Sequence, residues 1–214
     1  MRVYHFLTQQ YAIDDLAKRR LKVARLDDLN DPFELAALEL SDREMRRAYR
    51  GFARQMAKKF GVICFSRGWH NPVLWSHYAE KHKGVCLGFD IPDAAVLPVT
   101  YMGARLPNKI KAELVHGGLD DQDMRQIFTT KFKDWEYENE VRIFLRLVDR
   151  DADTGLYFQD FSESLALREV ILGPRCALTK TAIQRQLAGR GEIRVIKSRL
   201  AFKTFRVVEN QAVS

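Results

Sequence analysis

Ring side chains and carboxylates are concentrated in a few short segments of this sequence, and they are the residues best suited to chemistry. The segment NPVLWSHYAEKHKGVCLGFD, residues 71–90, holds Trp75, Tyr78 and two of the five histidines, His77 and His82. Aromatic rings can stack on a ligand, whereas phenols and imidazoles can donate or accept hydrogen bonds. This segment therefore has the side chains of a binding or catalytic site.

The same segment is predicted to begin with a helix, because Asn71 is a favoured N-cap residue and Pro72 suits the first helical turn. Helical geometry puts Trp75 and Tyr78 on one face and His77 about 200° away from Trp75. We expect one face to pack against the core and the other to look into a cleft. A simple packed helix with hydrogen-bonded histidines would show the same pattern.

A zinc site is not expected. His77 and His82 are five residues apart and point about 140° from each other, unlike the i, i+4 spacing of helical zinc ligands. The three cysteines, Cys64, Cys86 and Cys176, are far apart and mostly flanked by apolar residues. Such an arrangement is typical of reduced, buried thiols and argues against a disulfide framework or a zinc cluster.

A second segment, DWEYENEVRIFL, is rich in carboxylates and is predicted to be a strand. Alternation would put Tyr137, Asn139, Val141, Ile143 and Leu145 on a core face, and Glu136, Glu138, Glu140 and Arg142 on the opposite face. Neighbouring carboxylates repel each other unless cations or ligand hydroxyls compensate them. Either Glu138 or Glu140 orients or deprotonates a ligand, with Arg142 balancing the charge, or the strand is merely solvent-facing.

The third segment is the loop LNDPFEL. Asn30 and Asp31 before Pro32 form a turn signature, since their side chains bond the local backbone and proline fixes the next dihedral. Phe33 could plug the core. Glu34 is not needed by a turn, and it is therefore a candidate site residue.

Composition limits the class of protein. The 214 residues include 46% hydrophobic and 11% aromatic residues, enough for one core. The net charge of +7 favours acidic partners, nucleic acid first, and one basic run lies on a predicted helix over residues 42–59. We find no apolar run of the roughly 20 residues that a membrane span needs, so a cytoplasmic protein without membrane attachment is expected. P-loop, dinucleotide-binding and common hydrolase motifs are absent.

The predicted elements make an α+β fold with a mixed or antiparallel sheet and short helices. Strands are predicted at RVYHFL, LKVARL, GVICFS, GVCLGFDI, YENEVRIFLRL, LYFQDF, REVILG and IRVIKS. Helices are predicted at QYAIDDLAKRR, over about residues 42–59, from residue 71 to Gly84, at LDDQDMRQIFTTKF and at LTKTAIQRQLAG. The helix over residues 42–59 follows a capping box formed by Ser41 and Glu44. No repeat or linker divides the chain, so one domain over residues 1–214 is expected.

Taken in order, YHFLT, LKVARLDDLNDPFEL, ICFSRGWHNPVLWSHYAEKHKGVCLGFDI and KFKDWEYENEVRIF resemble the signatures of the bacterial domain-of-unknown-function family 2971 over about residues 3–173. This resemblance implies that the NDPFE loop, the WSHYA helix and the glutamate strand contribute to one site. It implies no reaction.

A weaker resemblance to ADP-ribosyltransferase-like proteins implies an activity and a split sheet. Tyr4, His5 and Thr8 match the opening strand of that superfamily, and Glu138 with Glu140 its late Glu-x-Glu. NAD would then be the cofactor, with His5 holding the nicotinamide ribose and Tyr78 stacking on nicotinamide. Glu140 would stabilise the cationic transition state, and Glu138 would align the acceptor.

The predicted catalytic residues are thus Glu140, Glu138 and His77, and the predicted binding residues are Tyr4, His5, Thr8, Asn30, Asp31, Glu34, Trp75, Ser76, Tyr78, His82 and Arg142. Two alternatives stay open. The protein could bind a nucleotide or nucleic acid without turnover, with Trp75 or Tyr78 stacking on a base. It could instead be a hydrolase or nuclease whose carboxylates hold Mg²⁺.

Overall fold

The structure is a computed structural model that describes residues 1–31, 33–34, 36–107 and 119–212. Its strands are β1 (Arg2–Leu7), β2 (Arg20–Arg25), β3 (Phe60–Ser66), β4 (Val85–Asp90), β5 (Leu97–Pro98), β6 (Thr100–Met102), β7 (Thr130–Phe132), β8 (Glu140–Arg146), β9 (Tyr157–Asp160), β10 (Ala166–Leu172), β11 (Arg194–Leu200) and β12 (Val207–Glu209). The helices are α1 (Gln9–Lys18), α2 (Arg43–Lys59), α3 (Pro72–Tyr78), α4 (Asp121–Thr129) and α5 (Lys180–Gln186), with 3₁₀ turns at Asp93–Ala95 and Lys133–Glu138.

Most of the strands in the described residues form one large sheet. The order is β12–β11–β10–β4–β1–β3–β2–β9, with β8 beside β3 and β5 beside β8. The β10–β11 pair is parallel and the neighbouring pairs are antiparallel, whereas β6 and β7 form a separate parallel pair. The predicted α+β class with a mostly antiparallel sheet is confirmed. The prediction of a single domain stays a prediction.

The sheet opens at β3. There β1 meets β3 at one pair of residues, Tyr4 opposite Ser66, while β2 pairs with the other end of β3 and β8 follows its whole opposite edge. The Nδ1 atom of His5 lies 2.8 Å from the carbonyl oxygen of Cys64. Where the backbones of β1 and β3 diverge, the His5 side chain thus takes the place of a backbone partner for the Cys64 carbonyl. This contact satisfies a polar group near the interior.

Apolar side chains cover both faces of the sheet. On one face, Leu87 and its neighbours pack with α1 and α5 into the largest core cluster. On the other face the apolar residues form two separate clusters: one gathers α2 and α4 around Met45, and the other gathers α3 around Trp75, which packs with Cys86 of β4. Leu87 and Cys86 diverge because successive strand residues point to opposite faces.

The strand predicted over residues 137–147 begins later than expected, so the predicted start was wrong. Residues Lys133–Glu138 form a 3₁₀ turn that ends at Asn139, whose φ is 46°, and the strand begins at Glu140. Asparagine tolerates this left-handed conformation better than most residues. Consequently Glu138 and Glu140 are separated by a turn, and Glu136 lies exposed and away from them.

Other element boundaries also differ from the prediction. The helix predicted through Phe132 ends at Thr129 and passes directly into β7. Asp42, in place of Ser41, caps α2 by accepting a bond from the Met45 amide. The helix after Asn71 ends at Tyr78, and positive φ angles follow at three residues, Glu80, Lys81 and His82.

Among the described residues, no helix is long and apolar enough to cross a membrane.

Candidate functional site

A small pocket with apolar walls and several charged side chains lies where the sheet opens, between the two apolar clusters of that face. Tyr4 and Phe6 on its wall pack against the cluster around Trp75, whereas Leu29 and Cys64 pack against the cluster around Met45. The cavity measures about 110 Å³. It is lined by Tyr4, His5, Phe6, Leu29, Asn30, Glu34, Cys64, Phe65, Ser66, Leu74, Tyr78, Lys131, Glu138 and Glu140.

Lys131 is the centre of a buried ionic network on this pocket. Its Nζ atom lies 2.6 Å from Glu138 Oε2, 3.0 Å from Glu140 Oε2 and 3.3 Å from Glu34 Oε1. The side chains of all four residues are at most 6% exposed. Ammonium and carboxylates at these distances in a dry setting form charge-assisted hydrogen bonds.

Arg142 connects two of these carboxylates from beneath the pocket. Its Nε and one terminal nitrogen donate to the two oxygens of Glu140, at 2.7 and 3.0 Å. Its terminal nitrogens also donate to both oxygens of Glu34, at 2.9 and 2.8 Å, and one of them donates to the carbonyl of Phe128. Because the guanidinium is planar and bonds both oxygens of each carboxylate, it fixes the orientation of Glu34 and of Glu140.

Glu138 has fewer partners than Glu140. Its Oε2 accepts from Lys131, and its Oε1 accepts a short hydrogen bond from the Tyr78 hydroxyl. The Tyr78 oxygen in turn accepts a 3.0 Å bond from the side-chain amide of Asn30. The network therefore extends from the loop at Asn30, through α3, to the turn before β8, and Glu138 keeps lone pairs for a ligand.

The pKa values follow from burial and these contacts. Burial opposes the charge of Glu140, but Arg142 and Lys131 outweigh it and lower the pKa of Glu140 to about 2. Burial raises the pKa of Glu138, because Lys131 and Tyr78 compensate it only in part. Burial works against the ammonium of Lys131, yet the surrounding carboxylates raise its pKa. Glu140 and Lys131 thus keep their charges near neutral pH, while Glu138 is the carboxylate nearest to accepting a proton.

Local backbone features explain how these side chains converge. The left-handed residue Asn139 reverses the chain so that Glu138 and Glu140 both reach Lys131. The Tyr101 hydroxyl, on β6, accepts from the backbone amide of Glu140 at 2.8 Å and ties β8 to the small β6–β7 pair. On the loop, Asp31 accepts from the Phe33 amide at 2.9 Å, and this turn directs Glu34 inward.

The structure brings together seven of the predicted site residues and Arg142 next to them. Tyr4, His5, Asn30, Glu34, Tyr78, Glu138 and Glu140 line the pocket. Arg142 is 1% exposed and acts on the site through Glu34 and Glu140. Asp31 is buried beside the loop turn, where its carboxylate is already used.

His77 lies outside the pocket. It is exposed, and its Nδ1 atom is 3.0 Å from the Tyr137 hydroxyl. Its ring also contacts the rings of Tyr78 and Trp135, with centroids 6.0 and 6.4 Å apart. Trp135 lies over the ammonium of Lys131 at 5.1 Å. His77, Trp135 and Tyr137 therefore form an aromatic rim beside two residues of the pocket, Tyr78 and Lys131.

Other predicted site residues have different positions. Trp75 is fully buried, and its indole nitrogen donates to the carbonyl of Trp69, so it cannot stack on a ligand. Thr8 caps α1. Ser76 is exposed on α3 and does not line the pocket. His82 lies beyond the end of α3, next to a separate cleft near β12.

Lys131, Tyr101 and Cys64 were not assigned to the site from the sequence. Lys131 was assigned to a helix, where a lysine is ordinarily a surface residue, although three nearby glutamates required a compensating cation. Burial, and then the negative charge of Glu140, raises the pKa of the Cys64 thiol, which argues against a nucleophilic role. Tyr101 gives no signal in the sequence.

A metal ion would have to compete with internal cations here. The oxygens of Glu34 and Glu140 are engaged by Arg142 and Lys131. In the part of the chain that the structure describes, no group of three or more histidines, cysteines or carboxylates is arranged to hold a metal.

Comparison with known families identifies part of this chain. Residues 74–143 match the family model described as a protein of unknown function, DUF2971. The predicted DUF2971 resemblance is confirmed over these residues. The matched segment carries Tyr78, Lys131, Glu138, Glu140 and Arg142, so most of the ionic network lies within the matched residues. The NDPFE loop lies outside it.

No curated protein and no solved structure matches the chain.

Proposed function

We propose that the pocket binds the nicotinamide riboside end of NAD and that the protein transfers or hydrolyses the ADP-ribosyl group. The observation that carries the proposal is the buried carboxylate of Glu138, which lines a ring-sized cavity together with Tyr78 and His5. The resemblance to ADP-ribosyltransferase-like proteins supports it through position. Tyr4 and His5 lie on β1 and Glu140 begins β8, and all three line one pocket where the sheet opens.

Charge favours a ligand with a cationic ring. Three carboxylates, Glu34, Glu138 and Glu140, face two cations, Lys131 and Arg142, so one carboxylate is in excess. The nicotinamide ring of NAD carries a positive charge, and further positive charge develops on the ribose as nicotinamide leaves. A fixed carboxylate in a water-poor pocket stabilises such charge more strongly than water does.

Size limits how much of NAD can enter. A cavity of about 110 Å³ is smaller than the roughly 300–1,000 Å³ typical of sites for whole drug-sized ligands. We therefore assign the ring and part of the ribose to the cavity and the diphosphate to the surface outside it, where it avoids the carboxylates. Arg67, exposed directly after Ser66 on the pocket wall, is the candidate partner for a phosphate.

The reaction would break the bond between ribose C1′ and the nicotinamide nitrogen, and the bonding electrons would leave with neutral nicotinamide. Glu138 would stabilise the cationic sugar. Water or the hydroxyl of an acceptor would then attack C1′ and give its proton to Glu138, whose raised pKa suits a base better than that of Glu140. Glu140 and Arg142 would act as positioning residues through Lys131.

Nicotinamide release is the direct test. Purified protein is incubated with NAD, alone and with mixed protein or nucleic acid as acceptor, and free nicotinamide is followed by chromatography. Glu138→Gln keeps the shape of the side chain and is expected to lower the rate at least about 100-fold, the usual contribution of a positioned acid or base. Glu136→Gln is the matched control, since Glu136 is exposed on the same 3₁₀ turn.

Two results would contradict the proposal. One is the absence of nicotinamide release under every condition, with no shift of the melting temperature by NAD. The other is release that Glu138→Gln and Glu136→Gln leave equally fast.

Binding without turnover is the second candidate function. The observation that favours it is the saturation of Glu140, whose two oxygens accept three bonds from Arg142 and Lys131. A fully paired network can serve as a rigid wall for a ligand. A melting-temperature shift by NAD or another nucleotide, without any product, would support this reading. The Mg²⁺ hydrolase reading lacks such an observation, because the internal cations engage its ligands.

A further inference from the structure

The turn between β11 and β12 exposes two phenylalanine rings. Phe202 is 88% exposed and Phe205 is 97% exposed. Large aromatic side chains usually bury most of their surface, since burial of such a ring contributes about 1.5–3 kcal/mol. Two such rings three residues apart, at one tip, indicate a surface that a partner covers.

The charge around these rings has one sign. Residues 194–206 contain five basic residues and no acidic residue. Three of the five donate within the chain: Arg194 pairs with Glu209, Lys197 donates to backbone carbonyls, and Arg199 donates to the carbonyl of Leu200. Arg199, Lys203 and Arg206 form no ion pair within the described ranges.

One of these cations already stacks on an aromatic ring. The guanidinium carbon of Arg199 lies 4.3 Å above the centre of the Phe202 ring. One terminal nitrogen of this guanidinium donates to the carbonyl of Leu200 at 3.0 Å, and its remaining N–H groups can meet an anion while its plane covers the ring. Phe202 and Arg199 therefore form a combined aromatic and cationic surface, and Lys203 and Arg206 flank Phe205.

The tip also forms one wall of a cleft. A space of about 530 Å³ separates Phe202 and Phe205 from Pro72, at the start of α3, and from His82. The Nδ1 atom of His82 is buried and has no hydrogen-bond partner. A ligand cannot reach this buried atom, so His82 contributes to the cleft through the part of its ring that is exposed.

We propose that this cleft, with Phe202, Phe205, Arg199, Lys203, Arg206 and His82, binds single-stranded nucleic acid. Bases would stack on the two rings, the three cations would contact phosphates, and His82 would bond the edge of one base. This inference goes beyond the proposed function and does not depend on it, because the cleft shares no residue with the NAD pocket.

Concavity and rigidity favour nucleic acid over a membrane surface. The exposed rings also border a cleft large enough for one nucleotide, which a membrane surface would leave unfilled. The hairpin is held before binding: Ala201 N donates to Arg206 O at 2.9 Å, and Val207 N donates to His70 O at 2.9 Å. A surface that is already ordered loses little conformational entropy on binding.

Fluorescence anisotropy with labelled 12-nucleotide oligonucleotides tests the proposal. The probes are single-stranded RNA, single-stranded DNA and a duplex of the same length, at several salt concentrations. Phe202→Ala with Phe205→Ala is expected to weaken single-strand binding at least about 10-fold, since each stacked base contributes on that scale. Lys203→Gln with Arg206→Gln is expected to weaken binding and to lessen its salt dependence by about two counterions.

The matched control is Arg50→Gln with Arg54→Gln, which removes the same charge from exposed positions on α2. It is expected to change binding less than about threefold, a small electrostatic effect at a remote site. The proposal is overturned if the phenylalanine variant binds as wild type does, if the α2 variant loses as much affinity as the tip variant, or if duplex binds as tightly as single strands. It is also overturned if the tip rings are needed for binding anionic phosphatidylserine vesicles but not for binding oligonucleotides.

Discussion

The ionic network at the pocket beside β1 and β3 and the tip of the β11–β12 hairpin depart in opposite ways from the usual distribution of side chains. In the network, Glu34, Lys131, Glu138, Glu140 and Arg142 keep formal charges away from water. At the tip, two phenylalanine rings are almost fully in water. Soluble proteins generally bury phenylalanine and expose charge.

The network and the tip differ in whether the interaction partners of their side chains lie within the chain. Each charged group of the network is paired within the chain, and the bonds span a loop, β7 and β8. At the tip, by contrast, the guanidinium of Arg199 stacks on the ring of Phe202, and both rings stay almost fully exposed. The network can therefore stabilise the fold as well as a bound ligand. The rings of the tip, in contrast, are removed from water only when a partner outside the chain covers them.

The largest expected effect is on the network. Arg142→Met removes one of the two cations that contact both Glu34 and Glu140 and leaves Lys131 to compensate three carboxylates, while the apolar side chain fills similar space. We expect the free energy of unfolding to fall by about 3–5 kcal/mol, the usual result of removing one partner of a buried ion pair. Urea denaturation followed by circular dichroism measures the change.

Arg146→Met is the control for this change, because Arg146 lies on the same strand and face as Arg142 but is exposed. It should alter stability by less than about 0.5 kcal/mol, as surface substitutions usually do. If Arg142→Met costs less than about 1 kcal/mol, the network is not a stabilising feature of the fold.

The second prediction uses a buried carboxylate outside the network. Asp15 on α1 is 4% exposed and has no ion pair in the described part of the chain, and burial raises its pKa to about 7. Its folded pKa exceeds the ordinary value of 3.8, so the folded state holds an extra proton between these pH values. The free energy of unfolding should therefore fall as pH rises from about 4 to about 7.

Asp15→Asn removes this dependence and should stabilise the protein at pH 8 by about 2–4 kcal/mol relative to wild type. Asp14→Asn, a change of the half-exposed neighbour that pairs with Lys18, should not. Glu140 has the opposite sign: its pKa of about 2 lies below the ordinary 4.5, so its contribution is present above that value and is lost as pH falls toward 2. A wild-type stability curve that is flat between pH 4 and 7 would refute the Asp15 prediction.

The sequence predicted the network better than the tip, and the reasons are physical. Local patterns located most strands, and the accumulation of carboxylates around Glu138 and Glu140 marked a site that needed compensation. Lys131 could not be found, because its role depends on a strand that begins where a helix was expected to continue. Trp75 was misassigned because periodicity shows that two rings share a helix face without showing which of them is buried.

The tip gave only a charge run in the sequence. Phe202 and Phe205 alternate with polar residues such as Lys203 and Thr204, and the short hairpin between β11 and β12 turns both rings outward. Exposure of a hydrophobic residue is a property of tertiary structure, and no local rule of spacing reveals it.

The smallest expected effect is the one that separates the two regions most clearly. Phe202→Ser with Phe205→Ser should change the free energy of unfolding by less than about 0.5 kcal/mol per residue, because neither ring is removed from a packed environment. Phe89→Ala, in the fully buried core of β4, should cost about 3–5 kcal/mol. A serine variant that unfolds several degrees earlier than wild type would mean that the rings pack against the chain in solution. Retained stability together with lost oligonucleotide affinity would mean instead that the tip is maintained for a partner, because two exposed aromatic rings that contribute nothing to folding otherwise only promote aggregation.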